Sequence, residues 1–247
     1  MSLAAKLALS PLLVAQALRT RSRLPRLPEA AGPRCGTVGR GVPLRVLIAG
    51  DSSAAGVGVA TQREALAGQL GSRLAEACGA RVEWRVVARS GLTTAQTLHL
   101  LQREPALHAD LAVVVTGVND VVDQVPSHHA VSMREALANW LRNGAGVHHV
   151  VFAPLPPVHL FPGLPQPLRW VAGSDALRHN RALQRWTTTR ADVSTVAIEL
   201  PPDRAAMAAD GFHPGEPVYR ACAEAIAAHV AARVWPAMRQ ARQVSRA

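Results

Sequence analysis

Four short stretches of the chain carry residue types that could do chemistry together. They are Gly50-Asp51-Ser52-Ser53, Ser90-Gly91, Gly117-x-Asn119-Asp120 and Asp210-x-x-His213-Pro214. Together they offer a hydroxyl, an amide, glycine backbone N–H groups, an imidazole and carboxylates, the inventory for attack on a carbonyl by a serine. A serine attacks well only when a base takes its proton, and an imidazole is that base only when its ring is held in the correct tautomer. Ser52, His213 and Asp210 are the candidates for nucleophile, base and orienting acid. The oxyanion that forms needs aimed donors, worth roughly 3–4 kcal/mol each, and the candidates are the Ser52 N–H, the Gly91 N–H and the Asn119 side chain. Taken singly, Ser52 or Asp51 reads as a helix cap and Asn119-Asp120 as a turn pair. Their order along the chain lifts them above that, and His159 is a reserve candidate for the base.

These residues need a scaffold that brings them to one rim, and the hydrophobic pattern supplies it. Leu44 to Ala49 is a continuous apolar run, as in a strand buried on both faces. Val82 to Ala88, the run Asp110 to Gly117, Val147 to Ala153 and, more weakly, Asp192 to Leu200 also read as strands. Between them lie helical patterns over Gln62–Cys78, Thr93–Arg103, Ser132–Asn143 and Ser174–Arg190, and Glu216–Arg239 closes the chain. Five strands alternating with helices predict a three-layer α/β/α sandwich, flavodoxin-like, with a parallel sheet in the order 2-1-3-4-5. Ligands in such sheets bind beyond the carboxyl ends of the strands. Three of the four stretches fall there, and the fourth, just before the last helix, can reach the same rim.

In order and spacing the four stretches resemble the sequence blocks of the SGNH, or GDSL-type, hydrolases, over about Leu44 to Val234. The resemblance implies an esterase, lipase or thioesterase that works without a metal or other cofactor. It maps Ser52 to the nucleophile, Gly91 and Asn119 to the oxyanion hole, and His213 with Asp210 to the base and its partner. Two positions depart from the family pattern. Ser53 follows the nucleophile where Leu or Ile is common, and Ala88-Arg89-Ser90-Gly91 lacks the Asn that often precedes the second-block glycine. The expected substrate is a small ester or lipid-like molecule, and the rival reading is a binding domain, without turnover or tied to a membrane, that keeps the fold.

With 247 residues the chain suits one sizeable domain. The expected division is a basic N-terminal helix and linker over 1–43, the hydrolase domain over 44–235 and a basic tail over 236–247. The net charge of +10 is concentrated at the ends: Met1 to Arg45 carry +7, Val230 to Ala247 carry +4, and the body is left at −1. That argues against a nucleic-acid partner, because no basic stripe crosses the domain. Cys35, Cys78 and Cys222 lie far apart and form neither a disulfide framework nor a zinc motif. His128-His129 and His148-His149 read as solvated pairs rather than metal ligands.

Ser10 and Pro11 predict a short helix from Pro11 to about Thr20, too short to span a bilayer. It is a candidate for docking on the body or for peripheral membrane contact. The basic cluster Arg19, Arg21, Arg23 and Arg26 speaks against export, so the chain is read as cytoplasmic, with membrane association and secretion left open. The Pro-rich segment Ala153 to Trp170 forms a stiff loop after the fourth strand. Its Leu155, Leu160, Phe161 and Trp170 are candidates for an apolar substrate-binding wall. Oligomeric state is not legible.

Overall fold

In the computed structural model, which describes residues 3–23, 25–201 and 203–244, the apolar run beginning at Leu44 occupies the middle of a mostly parallel sheet. The strands are β1 (Cys35–Val38), β2 (Val42–Gly50), β3 (Ala80–Ala88), β4 (Leu111–Val115), β5 (His149–Phe152) and β6 (Val193–Thr195), in the order β1-β3-β2-β4-β5-β6. The five parallel strands β2 to β6 therefore take the expected 2-1-3-4-5 arrangement. The sixth is β1, which pairs antiparallel with β3 at the sheet edge in the Pro/Gly/Arg-rich segment where the pattern predicts none. Four alternately half-exposed residues carry too weak a periodicity to announce a strand.

Helices cover both faces. On one side lie α3 (Leu66–Cys78), α8 (Glu216–His229) and, after a π turn at Val230–Val234, α9 (Trp235–Val244). Leu66, Leu70 and Leu74 of α3 meet Tyr219, Ala223 and Ile226 of α8 over β2 and β3, the spacing that places them on one helical stripe. The opposite face is covered by α4 (Thr94–Gln102), α6 (Ser127–Ala145) and α7 (Leu168–Thr187), whose Leu101, Leu137, Leu141 and Leu183 pack on Leu47, Ala112 and Val150. Two short helices, α2 (Ser52–Ala55) and α5 (Val118–Val122), follow β2 and β4 directly.

Several expected boundaries move. The first helix, α1 (Leu3–Arg23), begins well before Pro11 and holds that proline inside it, because the Ala- and Leu-rich stretch before it consists of strong helix formers that outweigh one missing bond. Gln16 ties α1 to the body: its amide donates to Gln166 O at 2.7 Å and accepts from Leu168 N at 3.1 Å. Among the described residues no helix is long and apolar enough to cross a membrane. α7 starts at Leu168 rather than Ser174, directly after the last proline of the stiff loop. β6 is only three residues long, and 196–200 continue without regular structure. α9 carries the last helix past Arg239, and 245–247 of the expected basic tail lie outside the described residues. His149 is not solvated: its ring meets the Ser194 hydroxyl at 2.9 Å, as does that of His229, and burial pushes its pKa down to about 4.

Candidate active site

The register of the sheet sets the site. Gly50 pairs with Ala88 on one side and with Val115 on the other, so β2, β3 and β4 end at one level. The residues that follow each strand, Asp51-Ser52, Ser90-Gly91 and Gly117-Val118-Asn119, are therefore neighbours at the point where the strand order reverses. Glycine at 50 is a requirement of the corner, since a side-chain carbon there would overlap the Val115 carbonyl oxygen. At 117 it would overlap the Arg134 guanidinium and Leu155. The chain turns through both positions with positive φ.

Asp51 caps α2, its carboxylate accepting from Ser53 N at 3.0 Å. That bond presents Ser52 at the first turn, where its Oγ lies 3.2 Å from His213 Nε2. His213 Nδ1 is 2.6 Å from Asp210 Oδ2. The other Asp210 oxygen accepts from the Phe212 and His213 N–H groups, each at 2.9 Å. Burial alone would raise the Asp210 carboxyl, but the bonds from the His213 ring and these two amides outweigh it and hold the group below the usual carboxylate range. Phe212 and His213 meet edge-on at 5.2 Å between ring centroids, which fixes the imidazole on its other side.

A cleft of about 640 Å³ opens over these groups, lined by Ser52, Gly91, Asn119, Phe161 and His213 among others. Three donors on its lining residues have no protein acceptor among the described residues: the Ser52 N–H, the Gly91 N–H and one N–H of Asn119, whose other amide hydrogen goes to Leu92 O at 3.0 Å. Below the cleft, Asp120 accepts from Thr94 N and Thr94 Oγ1 at 2.9 and 2.6 Å, with buried Arg134 3.9 Å away. These bonds lock the second and third loops together. Unlike Asp210, Asp51 makes no bond to the histidine. Burial, with a smaller contribution from the negative charge of Asp120, pushes its pKa up to about 7 against the bond from Ser53.

The match to known sequences follows the same outline. Residues 48–221 match the GDSL-like lipase/acylhydrolase family, a span running from inside β2 into α8. The chain belongs to that family. Its solved structural relatives include the lipase Lip_vut3 from a goat rumen metagenome (19% identity, 77% of this chain and 98% of that one, TM-score 0.62). The lipase/acylhydrolase from Enterococcus faecalis is similar at 20% identity over 77% and 96% of the two chains, TM-score 0.53. The acetylxylan esterase Axe2 from Geobacillus stearothermophilus is similar at 14% over 77% and 95%, TM-score 0.52. At these identities the likeness is one of fold. No curated protein matches the sequence significantly.

Within this GDSL-like frame the remaining expected residues part company. Phe161 lines the cleft and, with Leu155 and Leu160, a second chamber of about 700 Å³. Trp170 lines neither cavity and is half-exposed near the start of α7. The wall assigned to it from the Pro-rich stretch ends earlier, because the chain is already helical there. His159 lines only the second chamber, so it is no alternative base for Ser52. Sequence reasoning missed Pro25, Arg26, Leu27, Leu200, Met207 and Val218 at the cleft. No motif marks them. Leu200 and Met207 come from irregular chain, and Pro25 to Leu27 arrive from a segment outside the family span.

Proposed function

We propose that the protein is a serine acyl-ester hydrolase working through an acyl-enzyme, with lipid-like esters as its substrate class. The observation that carries this is the unbroken run Ser52 Oγ, His213, Asp210 beside three unpartnered donors on one cleft. Ser52 Oγ attacks the carbonyl carbon as His213 Nε2 takes its proton, and Asp210 stabilises the imidazolium. The carbonyl oxygen gains the negative charge and is met by the Ser52, Gly91 and Asn119 donors. Collapse expels the alcohol or thiol, which leaves with the proton from His213. Water then attacks the acyl-Ser52 ester by the same steps, giving the acid and free enzyme. No metal or cofactor enters this sequence. A fluorophosphonate probe is expected to label the protein once, at Ser52, as read by peptide mass. An unlabelled protein would instead point to a binding domain without turnover.

Fold alone does not choose the substrate, since the solved relatives include both a lipase and an acetylxylan esterase. The second chamber does favour one class. It shares Pro156, Phe161, Leu200, Met207 and Val218 with the catalytic cleft and continues past Val196 and Ile198, an apolar path leading away from Ser52. An acyl chain laid along it gains about 0.8 kcal/mol per buried methylene. With p-nitrophenyl esters, kcat/KM is expected to rise from acetyl to octanoyl by up to about fourfold per methylene. Met207→Trp, which fills the shared wall, lowers decanoyl hydrolysis by about tenfold or more and leaves acetyl hydrolysis within about threefold. A flat chain-length profile in the native protein would take the acyl chain out of the chamber.

A further inference from the structure

The loop that carries Gly91 is short of restraints within the family's own span. A side-chain carbon at Gly91 would meet nothing within 4 Å, so packing does not hold the backbone there. Before it, Arg89 N reaches Gly50 O at 3.2 Å, and after it Asn119 holds Leu92 O. Between these two ties the sequence has Ser90 and Gly91, without the Asn that often stands in this block of the family. An anchor for that gap comes from the N-terminal segment. Glu29 Oε1 accepts from Ser90 N at 2.7 Å, and Arg34 Nη1 donates to Ala88 O at 2.6 Å. The two side chains are joined to each other by an ion pair. The segment is itself fixed, with Val86 N on Arg34 O at 2.7 Å and the buried Gln62 amide donating to Ala30 O and Ala55 O.

We propose that Glu29, braced by Arg34, is a positioning residue for the reaction: it fixes the Ser90 peptide and so aims the neighbouring Gly91 N–H at the oxyanion. This rests on the reading of Ser52 as nucleophile. Both residues lie outside the matched span 48–221, so the restraint on the Gly91 loop comes from outside the stretch that carries the family match. The carboxylate keeps its charge over the working pH range. Burial works to raise its pKa, but the Ser90 N–H and Arg34 more than offset that and hold it below the usual glutamate value.

A donor that points a little away from the oxyanion weakens the transition state while leaving ester binding nearly untouched. Losing one such donor outright costs about 10²–10³ in kcat, so loosening one costs less. The test compares native protein, Glu29→Ala, Glu29→Gln, Arg34→Gln and Ser52→Ala on p-nitrophenyl butyrate, together with affinity for an alkyl trifluoromethyl ketone, whose adduct on serine carries an oxyanion. Glu29→Ala is expected to lower kcat by about 10- to 100-fold with KM within about threefold, and to weaken ketone binding by a similar factor. Glu29→Gln keeps an amide oxygen for the Ser90 N–H and stays within about fivefold of native. Arg34→Gln gives a smaller loss with the same split, and decides the matter if Glu29→Ala does not fold. Native-like kcat in Glu29→Ala, or a kcat loss with unchanged ketone affinity and no recovery by Gln, would overturn the role of Glu29. Ester hydrolysis that survives Ser52→Ala would instead overturn the nucleophile assignment, and the positioning role with it.

Discussion

Ser52→Ala and His213→Ala each lower kcat/KM for p-nitrophenyl butyrate by about 10⁴- to 10⁶-fold, and combining them costs little more than either alone. The non-additivity follows from the geometry. The hydroxyl at 3.2 Å from His213 Nε2 is a nucleophile only while the imidazole can take its proton, so each group is worth little without the other. Asp210→Asn is milder, at about 10³–10⁴. The Asn variant keeps a side chain between the His213 ring and the two backbone N–H groups, but it removes the charge that faces the developing imidazolium and disturbs the tautomer set by the 2.6 Å contact. Residual activity should remain well above the uncatalysed rate in every variant, because the three donors at the cleft do not depend on the relay. Steady-state kinetics of the three single variants and the Ser52→Ala/His213→Ala pair decide the point. A Ser52→Ala protein retaining a tenth of native activity, or effects that multiply, would break the assignment.

How much of this could be seen in the sequence depends on which contacts are local. Asp210 and His213 are three residues apart in one turn, and their pairing follows from spacing. Ser52, Gly91 and Asn119 are far apart, yet each stands just beyond a strand legible from its apolar run. Parallel pairing in register then does the rest: Ala88, Gly50 and Val115 align, and the three loops follow. What escaped has no periodicity to show. β1 is four residues long, and its pairing with β3 is decided by tertiary contact. The bond from Ser90 N to Glu29 joins residues 61 apart in a segment with no helical or strand pattern of its own, and nothing in that stretch marks it as part of a site. The start of α7 is not legible in the sequence for a different reason. Pro165 and Pro167 forbid helix among themselves but suit a helix that begins just after them, so Trp170 falls on α7 instead of in the substrate wall.

Asp51→Asn is expected to stabilise the protein in alkaline solution and to leave it unchanged in acid, because burial pushes the Asp51 pKa up to about 7. It is 2% exposed, and burial first, then the charge of Asp120, carries its pKa to about 7. In the unfolded chain an aspartate titrates near 3.9. Below about pH 4 it is protonated in both states and exerts no pull. As the pH rises toward 7 the unfolded state gives up the proton and the folded state keeps it, so folding becomes progressively less favourable. Above 7 the charge must sit in the protein interior, and the full penalty is reached. At 1.36 kcal/mol for each unit of displacement, a gap of roughly three units amounts to at most about 4 kcal/mol. Asparagine keeps an oxygen for the Ser53 N–H, so the α2 cap survives, and it carries no charge to desolvate. Urea unfolding of both proteins should therefore coincide at pH 4 and diverge by about 2–4 kcal/mol at pH 8.5, with Asp51→Asn the more stable. Titratable groups not coupled to Asp51 are common to the two proteins and cancel in the difference. A gap that stays the same at pH 4 and pH 8.5 would mean that Asp51 is ionised in the folded protein throughout. The acid beside the nucleophile would then be a permanent negative charge next to Ser52 and not a carboxyl that is neutral below about pH 7.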